Sequence, residues 1–196
     1  MSDPVHSLVL ASTSPRRRDL LRQAGVAFEV VPPRVAEQAG PSEAPEALAL
    51  RLAAEKALEV AERLGAEPER WVLGADTIVV LDGEVLGKPE DPEHAARLLA
   101  RLVGRSHRVV TGVAVVSSAR LAPRTRAVSS TVTMRGAARE EIEAYVATGE
   151  PLDKAGAYGF QGEGRRFVVR VEGSQSNVIG LPVAESLALL REAQGA

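Results

Sequence analysis

The sequence contains no cysteine. That removes disulfides, thiolate catalysis and Cys-ligated zinc together, along with any sign of a secreted disulfide scaffold. Aromatic residues make up 3% of the chain and the net charge is −2, with no basic tail or aromatic-rich basic stretch. A dedicated nucleic-acid binder, which presents a clustered positive surface, is therefore disfavoured. No apolar run approaches the ~20 residues of a membrane span, and residues 1–6 are polar and too short for a signal peptide. The expectation is a cytoplasmic protein with neither a nucleic-acid nor a membrane partner. Lysine is scarce as well: Lys56, Lys88 and Lys154 stand beside twenty-one arginines. A retained lysine marks a place suited to a compact ammonium over a planar guanidinium fork. All three lie beside acids or glycines, which points to a site for a polyanion such as phosphate; chance retention is the bland alternative.

What is present describes a globular chain. With 45% hydrophobic and 26% charged residues over 196 positions, a substantial core forms within one domain, residues 1–196, or one domain with two lobes. Ser7–Ala11 is an expected buried strand, and Ser14-Pro15 opens a helix that Gly25 stops. A second strand covers 27–31, and a loop over 32–41 carries Glu37. Apolar spacing predicts a helix over 45–64 with Gly65 as its stop. A strand over 71–75 ends at Asp76-Thr77, and strands 78–81 and 84–86 flank the hairpin signal Asp82-Gly83. Asp91 caps a helix through Leu102, strands cover 107–118 and 121–135, and a helix covers 139–147. A loop over 153–164 precedes a strand at 167–171, a polar turn at 173–177 and a last helix from Pro182. This alternation indicates an α/β fold with a twisted, mixed sheet, its later strands antiparallel because their connections are short.

Four segments can carry chemistry. Ser12-Thr13-Ser14-Pro15-Arg16-Arg17 joins a strand to a helix N-terminus, where backbone N–H groups and bidentate arginines suit an anion; an ordinary N-cap with exposed arginines is the alternative. No P-loop occurs. Asp76 emerges at a strand end beside Gly74, as a metal ligand, a general base or merely a turn cap. Hard oxygen ligands without a Cys or His cluster point to Mg²⁺ or Mn²⁺. His6, His94 and His107 have no metal-ligand spacing and are expected at the surface or as caps. Gly87-Lys88-Pro89 holds its lysine on a restricted backbone. In Asp153–Gly162, glycines allow close backbone approach to a ligand and Gln161 offers an amide able to read a base edge. Lys56 borders the apolar face of its helix, where a snorkelling surface lysine is the alternative.

LASTSPRR (10–17), the acid of AEQ (36–38), LAAEKA (52–57), LGADTIV (73–79), GEVLGKPEDPEHA (83–95), DKAGAYGFQG (153–162) and SNVIGLP (176–182) together resemble, in order, the Maf family of nucleoside triphosphate pyrophosphatases. The resemblance implies an elongated α/β fold of the inosine triphosphate pyrophosphatase type, with two lobes around a cleft. It implies hydrolysis of a nucleoside triphosphate to the monophosphate and pyrophosphate with a divalent cation, Mg²⁺ or Mn²⁺, at Asp76 and Glu37. Asp76 falls on the catalytic proton acceptor, with Glu37 and Lys88 beside it in the chemistry. Arg16, Thr77 and Gln161 fall on substrate-selecting positions, and Ser14, Arg17 and Lys56 on further substrate-binding ones. The DKAGAYG-x-Q-G form is similar to the branch acting on dTTP and UTP, not the branch acting on 7-methyl-GTP. A homodimer is implied too. Thr13 and Gln175 depart from the usual pattern without touching the chemistry. Two other functions stand beside this one: a sugar-phosphate nucleotidyltransferase, which would want a glycine-rich first loop, and a non-enzymatic regulator of septum formation.

Overall fold

The computed structural model describes residues 8–36 and 43–195. Its strands are β1 (Leu8–Ala11), β2 (Phe28–Val30), β3 (Trp71–Leu81), β4 (Glu84–Leu86), β5 (Ser106–Ser117), β6 (Arg124–Met134) and β7 (Val168–Glu172). They form one mixed seven-stranded sheet in the order β2-β1-β3-β5-β6-β7, with β4 on β3. β1 runs parallel to both β2 and β3, whereas β3–β4 and β6–β7 are antiparallel. Among the described residues the α-helices are α1 (Pro15–Gln23), α2 (Pro45–Leu64), α3 (Pro92–Leu102), α4 (Arg139–Val146), α5 (Gln175–Ile179) and α6 (Val183–Gln194). The α/β class with a mixed sheet expected from the sequence is the one found.

The chain forms two compact units. The first comprises Met1–Asp76, Thr111–Val128 and Gly180–Ala196; the second comprises Thr77–Val110 and Ser129–Ile179. In the first, Val9, Ala11, Val72, Ala114 and Val116 of the strands pack on Ala53, Ala57, Val60 and Ala61 of α2. In the second, Leu81, Leu86, Leu99, Leu102, Val132, Tyr145 and Phe167 belong to one buried cluster.

Helix α2 sets the geometry of the first unit. Pro45 pre-sets its first turn, and Gly65 ends it at φ 78°. Ala49, Ala53 and Ala57, one turn apart, are each fully buried. The small stripe lets the helix backbone approach the sheet closely. A Cβ on Gly112 would overlap the Ala49 carbonyl and lie 2.6 Å from the Leu50 nitrogen. One on Gly74 would overlap the Ala53 carbonyl and lie 3.0 Å from the Ala57 nitrogen. Two glycines, on β5 and β3, thus seat the helix.

Three local expectations change. The strands expected over 71–75 and 78–81 are a single β3. Its pairing changes instead: β1 pairs with Trp71–Gly74 and β4 with Val79–Leu81, so Ala75–Ile78 lie between two partners. The polar turn at 173–177 becomes partly helical, as α5. His107, expected at the surface, is buried and shares a 2.8 Å hydrogen bond with the Tyr158 hydroxyl. Burial lowers its pKa to about 4. His94 does serve at a helix start, its N–H donating to the Asp91 cap at 2.6 Å, and His6 lies outside the described residues.

Candidate active site

Asp76 owes its place to Gly74. Side chains two residues apart in a strand share a face, so Asp76 points toward the side on which α2 crosses Gly74. Lys56 stands on α2 between Ala53 and Ala57, and its Nζ lies 2.6 Å from Asp76 Oδ1. Both residues are nearly inaccessible, 4% for Lys56 and 7% for Asp76. The surface-lysine alternative is therefore excluded: the ammonium is buried against a carboxylate. A pair taken out of water this completely needs short, well-directed contacts to be tolerated.

Ala11 pairs with Gly74 in parallel register, so Ser12–Ser14 leave the carboxyl end of β1 beside Ala75–Asp76; Asp76, expected at a strand end, instead stands within β3, which runs on to Leu81 after β1 has stopped. Ser12 is buried. Its hydroxyl oxygen accepts the Ser14 N–H at 3.1 Å and the Arg17 Nη1 at 3.4 Å. These two bonds shape the loop. Ser14 occupies the N-cap of α1, yet its side chain makes no capping hydrogen bond. Arg17 also donates from Nε to the Gly180 carbonyl at 2.7 Å, which orients the guanidinium at the helix start. Arg16 is half-buried on the same turn.

The remaining predicted residues stand elsewhere. Thr77, half-buried, follows Asp76 on β3 and belongs to the second unit. Lys88 is exposed, but its backbone is held: Gly87 accepts the Gly156 N–H at 3.1 Å, and Pro89 is buried. Gln161 is exposed in the bend before the short 3₁₀ turn Glu163–Phe167. Glu37 lies outside the described residues. Lys154, part of the lysine argument, donates to the Glu150 carbonyl and at 2.6 Å to Asp153.

Sequence reasoning missed three contributors. Gly180 supplies the carbonyl that aims Arg17. Asn177, three residues earlier in the same SNVIGLP motif, is fully buried and donates to the Val109 carbonyl at 3.0 Å and to Ser130 Oγ at 2.9 Å. The motif itself was the available signal. Glu150 was also missed, although Gly149-Glu150-Pro151 adjoins the glycine-rich segment.

Among the described residues no group of three or more His, Cys, Asp or Glu side chains is placed to hold a metal, and no helix is long and apolar enough to cross a membrane. A hard carboxylate such as Asp76 suits a Mg²⁺-like ion that takes further ligands from phosphate and water.

Comparison with known proteins gives the arrangement its relatives. The dTTP/UTP pyrophosphatase of Anaeromyxobacter sp. (strain Fw109-5) is 54% identical over 192 residues, covering 95% of this chain and 89% of that protein. The dTTP/UTP pyrophosphatase of Moorella thermoacetica is 50% identical over 183 residues, 93% of each chain. Among solved structures, a HAM1 protein from Coxiella burnetii aligns with a TM-score of 0.51 at 17% identity, over 93% of this chain and 90% of that one; at that identity the likeness is one of fold. The model of Maf-like proteins matches residues 7–193. With nearly the whole chain matched and relatives this similar, the protein belongs to the Maf-like family.

Proposed function

We propose that this protein hydrolyses dTTP and UTP to the nucleoside monophosphate and pyrophosphate. The observation that carries this reading is the buried Lys56–Asp76 pair, on β3 beside the end of β1 from which the loop of Ser12–Arg17 emerges. The names of the relatives supply the nucleotides. In the reaction a water oxygen bonds to the α-phosphorus, the bond from that phosphorus to the bridging oxygen breaks, and pyrophosphate leaves with the electron pair.

Asp76 takes the proton from the attacking water as general base. Lys56 holds one carboxylate oxygen and so fixes the direction of the other. Arg16, Arg17 and Ser14, at the start of α1, bind phosphate oxygens, where a helix N-terminus and guanidinium forks both favour anions. Lys88 adds a point charge to the polyphosphate. Asp76, with Glu37 as the resemblance implies, would hold a Mg²⁺ or Mn²⁺ ion brought by the triphosphate. When bound, such an ion neutralises charge on the phosphate oxygens. Thr77 and Gln161 select the base, the Gln161 amide matching the alternating acceptor and donor of a uracil or thymine edge. The activity belongs in the cytoplasm, where nucleotide pools reside, and a homodimer is the expected state in sedimentation.

Pyrophosphate release with dTTP, UTP, CTP and GTP tests the reading. It should be fastest with dTTP and UTP, and Asp76→Asn should lower kcat by about 10²-fold or more, the scale of a lost general base. Release from none of the four nucleotides would sink the function, and a folded Asp76→Asn variant with normal turnover would remove Asp76 from the chemistry.

A further inference from the structure

Gln161 is exposed, yet the backbone on either side of it is fastened to one carboxylate. Glu150 follows α4 and begins a 3₁₀ turn, Glu150–Asp153. Its Oε1 accepts the Tyr145 hydroxyl at 2.9 Å and the Gly164 N–H at 3.2 Å, while Oε2 accepts the Glu163 N–H at 2.9 Å. The Tyr145 hydroxyl oxygen in turn accepts the Gly159 N–H at 3.0 Å. Both flanks of Gln161, at Gly159 and at Glu163-Gly164, are thereby tied to Glu150 directly or through Tyr145.

The glycines of this segment answer to the same carboxylate. A Cβ on Gly159 would lie 2.5 Å from Glu150 Oε1 and 2.9 Å from Lys154 Cε. One on Gly162 would overlap Oε2 and lie 2.5 Å from Oε1. One on Gly164 would lie 2.6 Å from the Tyr145 hydroxyl and 2.7 Å from the Gly159 carbonyl. The glycine richness that suggests close approach to a ligand is used here to wrap the chain around Glu150. Burial alone raises the pKa of this carboxyl, but hydrogen bonds from the Glu163 N–H, the Tyr145 hydroxyl and the Gly164 N–H outweigh it, with the Lys154 charge adding to them, and the net direction is downward. The anion is therefore the form the loop is built around.

We propose that Glu150 is a positioning residue for base selection: its carboxylate fixes the backbone of residues 159–164 and so sets where the Gln161 amide stands. The inference rests on the base-reading role given to Gln161 above. Glu150→Gln is the informative substitution because it preserves shape. A carboxylate accepts on both oxygens, whereas an amide has one acceptor and one donor group. Whichever way the Gln is turned, an –NH₂ group faces either the Glu163 N–H or the Gly164 N–H. Tyr145→Phe, which keeps the ring edge-on to Phe167, is the second, milder variant and releases the Gly159 N–H.

The experiment compares wild type, Glu150→Gln, Tyr145→Phe and Gln161→Ala by amide hydrogen exchange over 159–164 and by steady-state kinetics with dTTP, UTP, CTP and GTP. In Glu150→Gln, exchange should accelerate within this segment, and KM for dTTP and UTP should rise about tenfold with kcat within about twofold, as expected when an ordered binding group is loosened without loss of the chemistry. The preference over GTP should narrow, and Tyr145→Phe should move in the same direction by less. Unchanged exchange in Glu150→Gln would overturn the proposal, as would unchanged KM values in Glu150→Gln when Gln161→Ala does narrow the preference. Equal kcat losses for all four nucleotides would reduce Glu150 to general structural support and overturn it too. If exchange accelerates while both Glu150→Gln and Gln161→Ala leave every kinetic constant unchanged, the base-reading role of Gln161 has failed and this inference falls with it.

Discussion

Replacing Lys56 by methionine preserves the length of the side chain and removes the ammonium that stands 2.6 Å from the Asp76 carboxylate. The side chains of the pair are 5% and 9% exposed, so water reaches neither group well enough to replace the lost partner. Removing one member of a buried pair costs about 3–5 kcal/mol, because the surviving charge is left uncompensated. For a chain of this size each kcal/mol moves Tm by about 2–4 °C, so Lys56→Met should melt about 6–20 °C below wild type. The diagnostic measurement is a double-mutant cycle by urea denaturation at neutral pH. Asp76→Asn alone leaves the ammonium facing an amide oxygen, which accepts a hydrogen bond, and should cost less than Lys56→Met. The Lys56→Met/Asp76→Asn double variant has no charge left to strand and should recover about 2 kcal/mol or more relative to the sum of the singles. Strict additivity within about 0.5 kcal/mol would refute the coupling. The carboxylate would then draw its compensation from elsewhere.

Four further outcomes follow from the geometry. Gly74→Ala drives a Cβ into the Ala53 carbonyl, a backbone atom that cannot rotate away, and should cost about 1–3 kcal/mol while displacing Lys56 from Asp76. Gly87→Ala meets nothing within 4 Å and should stay within about 0.5 kcal/mol of wild type in the same denaturation assay. Lys88→Arg should lower kcat/KM for dTTP with little change in Tm, since the lysine is exposed and the larger fork cannot stand where a point charge does; wild-type kinetics would remove Lys88 from the phosphate contacts. The pKa of His107 is lowered from 6.5 to about 4 by burial, so on acidification the unfolded chain takes up this proton first. Its contribution is complete above pH 6.5 and is lost as pH falls toward 4, on the order of 3 kcal/mol. A His107→Gln variant should show a shallower acid loss across that window.

What was legible in the chain was what local chemistry decides. Pro45 and Gly65 bracket α2 as expected, Asp82-Gly83 turns the hairpin between β3 and β4, and Asp91 caps α3 through the His94 N–H. The burial of Lys56 and its meeting with Asp76 were not legible, because they depend on Gly74 admitting a helix that begins far away in sequence. The continuity of β3 was hidden for a related reason. Nothing in Ala75–Ile78 announces that one partner strand stops at Gly74 and another begins at Val79. His107 looked like a surface group because its partner, Tyr158, is 51 residues away. Glu150 was missed because its meaning lies in backbone N–H groups 13 and 14 residues downstream, and main-chain donors leave no signature in side-chain identity.

The scarcity of lysine turns out to be informative in a way that differs from the simplest expectation. Lys56 does need a compact ammonium: it sits between alanines whose helix backbone is pressed onto Gly74, and a planar fork with five donors would require room and acceptors that this contact does not provide. Lys154 likewise uses a point charge, donating to the Glu150 carbonyl and to Asp153 within one short turn. Lys56 and Lys154 thus engage carboxylates and a carbonyl of the protein itself, whereas Lys88 is exposed. The inference from residue choice to local chemistry holds at Lys56 and Lys154, where one small cation must fit a confined acceptor. The further step from three lysines to a single phosphate site does not. In the proposed reaction Lys56 acts through Asp76 and Lys88 through its charge, while Lys154 fastens the turn that carries Glu150.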